Sequence, residues 1–183
     1  MLRIPGLTLL LCCALCFLGK TQFIDLSFAF QAYPTGLISG LQIEKGFQDK
    51  NAIHFRFGYQ FIRHGDLGVQ EDERGDGFGG SLGYKRYFKD DFQGLFLAAR
   101  SDLWWNTLDW TNDIDQPNAT HGTSKIVVLQ PTLQTGYLIP FGKDFFFTPT
   151  LSFGYEVNIQ TKGADVGEGA IILLGFQIGK RFQ

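Results

Sequence analysis

Large apolar side chains recur at every second position along most of this chain. In the stretch 53–61, Ile53, Phe55, Phe57, Tyr59 and Phe61 alternate with His54, Arg56, Gly58 and Gln60. A helix would scatter these residues around its circumference, whereas a strand collects them on two faces. The same alternation recurs in eight segments, at about 22–31, 37–45, 53–61, 75–88, 93–108, 124–140, 145–160 and 173–182. Turn-rich or charged breaks separate them. In the closing segment Leu174, Phe176, Ile178 and Phe182 share one face, and Gly175, Gln177, Gly179 and Arg181 share the other.

One apolar face and one polar face on every strand is the pattern of a wall with lipid outside and a polar interior. A strand in lipid cannot leave backbone groups unpaired, so it belongs to a closed barrel. The pattern therefore predicts an all-β, eight-stranded antiparallel up-and-down transmembrane β-barrel. An even strand count puts both chain ends on one side. If that side is the periplasm, the breaks at 46–51, 89–91 and 141–144 face it. Those at 31–36, 64–74, 109–123 and 161–167 face outward, and three of these four are longer than the periplasmic turns, as in outer-membrane barrels. Aromatic residues near strand ends, among them Tyr33, Tyr87, Trp104 and Trp105, suggest interfacial girdles. Pro131 and Pro149 interrupt two segments. Proline cannot donate to a ladder, so each should sit at a bulge or distortion.

The N-terminus reads as an export signal. Arg3 precedes an uncharged run over 4–19 and Lys20 ends it. Sixteen residues fall short of the ~20 a spanning helix needs. Residues 1–21 are read as a secretory signal peptide and 22–183 as one barrel domain. A lipoprotein signal at Cys13 or Cys16 fits less well, because Cys12 and Leu15 are not the small residues expected before a lipidated cysteine. All three cysteines lie in this segment, so 22–183 has no thiol chemistry. That remainder carries 14 basic and 18 acidic residues, a net charge of −4. No clustered positive charge marks a nucleic-acid footprint. Mean hydropathy is near zero, as alternation requires, and no helix-length apolar run follows residue 20.

An eight-stranded barrel has room for its own side chains or one small ligand. The inward positions include Asp25, Glu44, His54, Arg56, Lys85, Arg100, Asp102, Glu156 and Arg181, which mix both signs of charge. Buried charges must be paired. The reading is a polar lumen network that holds the barrel together, with His54 a satisfied hydrogen-bonding residue. A narrow pore for small solutes is the alternative.

Signal segment, eight alternating segments, unequal breaks and the terminal aromatic together resemble the small outer-membrane barrels of the OmpA and OmpX type. The turn Gly142-Lys143-Asp144 and the ending Gly179-Lys180-Arg181-Phe182 also look like small barrels of Bacteroidetes-type bacteria. The resemblance implies a bacterial outer-membrane location. Outer-membrane lipid, lipopolysaccharide and the barrel-insertion machinery would then be partners. Phe176, Ile178 and Phe182 resemble the C-terminal signal for insertion. Proteins of this kind serve as scaffolds, adhesins or surface recognition proteins.

Candidate chemistry is thin. Some eight-stranded barrels modify lipid A, and a deacylase needs a serine, a histidine base and an acidic orienter. The nearest match is His121-Gly122-Thr123-Ser124 with Asp109, Asp113 and Asp115 upstream, but Thr123 stands where the serine belongs. The acidic residues Asp66, Glu71, Asp72, Glu73 and Asp76 match no calcium-loop spacing and read as a solvated loop. A lipocalin-like soluble barrel would invert the faces. No cofactor or metal is expected. The expected role is structural or surface interaction, with no catalysis. The contact region is the loop 109–123, carrying an exposed Trp110 with Asp113, Asp115 and His121.

Overall fold

The computed structural model describes residues 22–114 and 116–183. The export-signal reading of 1–21 and the residue Asp115 lie outside the described residues. Eight strands follow one another as β1 (Phe23–Tyr33), β2 (Gly36–Phe47), β3 (Asn51–Arg63), β4 (Asp72–Tyr87), β5 (Gly94–Asn112), β6 (Thr120–Phe141), β7 (Phe145–Lys162) and β8 (Gly169–Phe182). Each pairs antiparallel with its chain neighbours, and β1 pairs with β8 from Ile24↔Phe182 to Ala32↔Leu174. The sheet is thus a closed eight-stranded barrel. Closure leaves no strand edge unpaired, which a bilayer requires.

The two faces separate as the alternation demands. Phe28, Leu41, Phe57, Leu97, Leu133, Phe153 and Leu174 are exposed on the outer wall. Phe176 is half-buried on that wall because Phe30 and Phe147 flank it at 5.7 and 5.8 Å between ring centres. Ile178 and Phe182 point the same way. At one end the apolar belt stops at the stacked pair Phe78 and Trp105. Above them the outward positions become Asp76, Arg74, Thr107 and Asp109.

That end carries the longer connections, and two strands extend beyond the belt. A membrane-crossing strand needs about 9–11 residues, yet β5 has 19 and β6 has 22. The expected loop 109–123 is therefore mostly a two-stranded ladder running up to Asn112↔Thr120, and its tip spans only 113–119. That hairpin stands beyond the apolar belt and packs inward mainly through Trp110, so it needs no sustained apolar alternation. Polar cross-strand contacts hold it instead, such as Thr123 Oγ1 donating to Asp109 Oδ1 at 2.6 Å. The opposite end closes with short turns at 48–50, 88–93 and 142–144.

The prolines sit at ladder distortions, as expected, but not at a bulge. The single register shift in the β6–β7 ladder lies between Val127 and Val128, at neither proline. Pro131 keeps its partner Ser101 on β5, and Pro149 keeps Phe176 on β8. Pairing lapses only between β6 and β7, at 130–131 and at 148–149. Each proline directs its missing N–H into that one ladder, so no bulge is needed.

Glycines of β4 make room inside. A Cβ on Gly79 would stand 2.3 Å from the Leu103 carbonyl oxygen and 2.4 Å from the Trp104 ring. Trp104 is 0% exposed and fills the space that Gly79 leaves. Gly79→Ala should therefore destabilise the barrel by about 1–3 kcal/mol through overpacking. The check is the denaturant midpoint of the heat-modifiable gel band. An unchanged midpoint would mean the interior is loosely filled there.

Candidate functional site

The lumen is built in three tiers. Nearest the short turns, Phe23, Ala52, Tyr87, Phe92, Phe96, Ala98, Leu138 and Phe146 form one buried apolar cluster. Towards the long loops, a second cluster includes Tyr33, Ile38, Trp104, Leu108, Ile126, Ile171 and Leu173. A polar belt lies between them. Of the strand-end aromatics that suggested girdles, Tyr33, Tyr87 and Trp104 point inward, because they share strand parity with Gln31, Lys85 and Arg100.

The belt brings the inward charges together. Asp25 receives both arms of Arg181 at 2.8 Å each, and that guanidinium lies 3.9 Å from the centre of the Phe23 ring. Glu44 receives Lys85 Nζ at 2.5 Å and the Tyr87 hydroxyl at 2.8 Å. Lys85 Nζ also sits 4.2 Å from the centre of the Phe96 ring. Asp102, with no exposed surface, lies 3.4 Å from Arg56 and accepts from Arg100 at 3.1 Å. Both arginines donate to Gln31 Oε1, at 2.6 and 2.8 Å. Glu156 stands apart, near the loops, and among the described residues accepts only a long 3.5 Å bond from Gln60. Opposite charges in van der Waals contact inside a water-poor lumen bind strongly once both are desolvated, and each is costly alone.

His54 departs from expectation. It is buried, but neither ring nitrogen has a hydrogen-bond partner among the described residues. Its ring lies against Gly83, within 2.3 Å of where a Cβ would be. Both amide atoms of Gln134 and the hydroxyls of Thr148 and Thr150 are likewise unpartnered.

At the long-loop end the loops are held together by Glu73, a carboxylate expected in a solvated loop. Glu73 is 0% exposed. Its carboxylate accepts the backbone N–H groups of Val69 at 2.9 Å, Gln70 at 3.0 Å and Gly167 at 3.0 Å. His64 Nδ1 makes a short contact with Glu73 Oε2. One side chain thus fastens the 64–71 segment to the 163–168 loop. That loop turns Val166 down into the upper apolar cluster. Gln70 Nε2 adds a bond to the Asp165 carbonyl at 2.8 Å. Burial pushes the Glu73 carboxyl up, but the His64 contact and the backbone donors outweigh it and hold it below its ordinary 4.5.

No family model matches the chain, and no curated protein is detectably similar. Among solved structures it resembles a major outer membrane protein from Thermus thermophilus. That match has TM-score 0.56 and 13% identity, over 87% of this chain and 99% of the other. The N-terminal β-barrel domain of Pseudomonas aeruginosa OprF aligns over 89% and 100% at TM-score 0.49 and 15% identity. Ail, the attachment invasion locus protein of Yersinia pestis, aligns over 90% and 100% at 0.48 and 12%. The fold is that of a small outer-membrane barrel.

On this barrel the remaining sequence candidates fall apart from one another. Trp110, expected on an exposed loop, lies in β5 and is half-buried. Its ring covers Gly122 and packs on the upper apolar cluster, because its parity turns it inward. His121 is exposed on β6 opposite Thr111. Ser124 is buried, and its hydroxyl donates to the Ala164 carbonyl at 2.7 Å. Thr123 bonds Asp109. No serine–histidine–carboxylate relay forms among them. Asp113 sits at the hairpin tip with a left-handed φ of 54°.

Two outcomes follow for the barrel. Lys85→Met strands Glu44 and should cost about 3–5 kcal/mol of unfolding free energy. The double variant Glu44→Gln/Lys85→Met should lose less than the two single losses added together, a coupling that a double-mutant cycle reads directly. For the latch, a carboxyl held below 4.5 stabilises the fold above that pH. This stability is lost as pH falls through the lowered value. Hydrogen-exchange protection of 163–168 should hold from neutral pH to about 5 and drop on further acidification. Glu73→Gln should weaken protection at neutral pH and abolish the acid step. A loop whose protection ignores both changes would show that Glu73 does not hold it.

Proposed function

We propose that this chain is a non-conducting barrel of a bacterial outer membrane that presents its long-loop end as a surface-interaction platform. The observation that carries the reading is the filling of the lumen. Apolar clusters close both ends of a polar belt whose charges are spent on each other. A solute would have to break buried ion pairs and displace Trp104 or Phe96, neither of which is exposed. That favours the structural role of Asp25, Glu44, Arg56, Lys85, Arg100, Asp102 and Arg181 over a pore.

The long-loop end offers what a recognition face needs. The β5–β6 hairpin stands beyond the apolar belt and exposes Ile114 and His121, with Asp113 at its tip. The latch at Glu73 holds the neighbouring loops in one arrangement, which lowers the entropy lost on binding. Trp110 serves the hairpin's own packing, so Asp113, Ile114 and His121 are the better contact residues. Scattered nucleophile and base candidates favour a role without catalysis. Lipid and lipopolysaccharide would contact the Phe-rich wall. The outward residues Phe176, Ile178 and Phe182 would be available to the insertion machinery during assembly.

Residues 22–183 contain no cysteine, so single-cysteine labelling gives a clean test. In intact cells a membrane-impermeant maleimide should label Ile114→Cys and spare Lys143→Cys. In planar bilayers the purified protein should carry no steady current. Sustained conductance would replace this reading with the pore. The reverse labelling pattern would invert the topology.

A further inference from the structure

A cavity of about 340 Å³ opens at the long-loop end, between the β1–β2 turn, the 64–67 segment and the start of β8. Pro34, Leu67, Ala170, Ile171 and Ile172 contribute apolar wall. The polar side chains of its lining are Thr35, His64, Glu156 and Glu168, two of them carboxylates. Glu156 lines the cavity and is only 7% exposed. One of its oxygens accepts the long bond from Gln60, and the other has no partner among the described residues. Its cross-strand neighbour is Gly169, which has no side chain to cover it, and a Cβ there would meet open space. Glu168 stands at the rim, with one oxygen held by the Asn158 N–H at 2.8 Å. His64 lines the cavity too, its Nδ1 engaged by Glu73. Among the described lining residues none is Lys or Arg.

A nearly buried carboxylate that faces a cavity with half its acceptor capacity unused calls for a donor from outside. The surrounding wall is apolar, so the complement is a positive hydrogen-bonding head on a short apolar body. The volume suits a small organic ligand. We propose that this cavity binds an organic ammonium, with the charged head on Glu156 and the apolar body against Leu67 and Ile171. Glu168 adds a second negative charge at the entrance and favours cations on approach. This inference rests on the long-loop end being the recognition face, and it names the ligand class that face takes.

The test uses the full barrel in lipid nanodiscs, titrated calorimetrically with phenethylamine and with its neutral analogue 2-phenylethanol. Empty nanodiscs correct for partition into lipid. The amine should bind saturably and about tenfold more tightly than the alcohol, as a charge-assisted hydrogen bond outweighs a neutral one. Glu156→Gln should erase that margin while the heat-modifiable band persists. Leu67→Arg, at an exposed loop position, places a cation at the cavity and should weaken amine binding several-fold with the lumen untouched. Equal affinity for amine and alcohol, or a margin that survives Glu156→Gln, would overturn the proposal. Should Glu156→Gln fail to fold, an amine affinity unmoved by Leu67→Arg would overturn it equally. Conductance or inverted labelling would remove the platform reading and leave these affinities as measured.

Discussion

A peptide group inside a bilayer has no water to turn to. Every N–H and C=O of the wall must therefore find another strand, and the only arrangement that satisfies all of them is a ring. Here the ring is completed by β1 and β8, the two ends of the barrel. Once it closes, each residue has only two directions left. Across the membrane, odd positions of β2, β3, β5, β6 and β7 meet lipid and even positions meet the lumen; β1, β4 and β8 reverse that parity. The chemistry of the interior is then a matter of which residues that parity delivers.

What it delivers is a balanced set. Arg56, Lys85, Arg100 and Arg181 face the same space as Asp25, Glu44 and Asp102, and Glu156 faces inward nearer the loops. The apolar clusters above and below keep water scarce and so strengthen each pair and raise the cost of losing a partner. Aromatic faces contribute as well, since the cations of Lys85 and Arg181 rest on Phe96 and Phe23. Polar belt and apolar plugs are one device: the plugs make the pairs strong, and the pairs prevent the plugs from being a continuous greasy core that lipid-facing strands could turn towards.

The wall was legible in the sequence because lipid enforces alternation on every strand that crosses it. Strand number, closure and the inward direction of Asp25, Arg56 or Asp102 follow from counting by twos. Where the chain leaves lipid the signal fades, and the upper half of the β5–β6 hairpin read as loop for that reason. The inward apolar residues were recoverable from parity, since Trp104 and Leu108 stand in line with Arg100 and Asp102. The expectation that aromatics near strand ends form girdles hid them. Glu73 is the harder case. Parity with Lys85 and Ser81 turns it inward, but its role depends on Gly167, 94 residues away, and no local pattern announces such a contact. The open side of Glu156 is equally invisible, because it arises from the missing side chain of its cross-strand neighbour.

The two prolines draw a line along the wall. Both withdraw a donor from the same pair of strands, β6 and β7, so this seam is stitched with fewer bonds than the rest of the circumference. On its inner side lie Gln134, Thr148 and Thr150, whose side-chain polar atoms have no partner among the described residues and give the seam no second layer of fastening. A hoop under thermal load parts first where its staves are least joined. The breathing of this barrel is therefore anisotropic, with one compliant meridian set in an otherwise stiff shell.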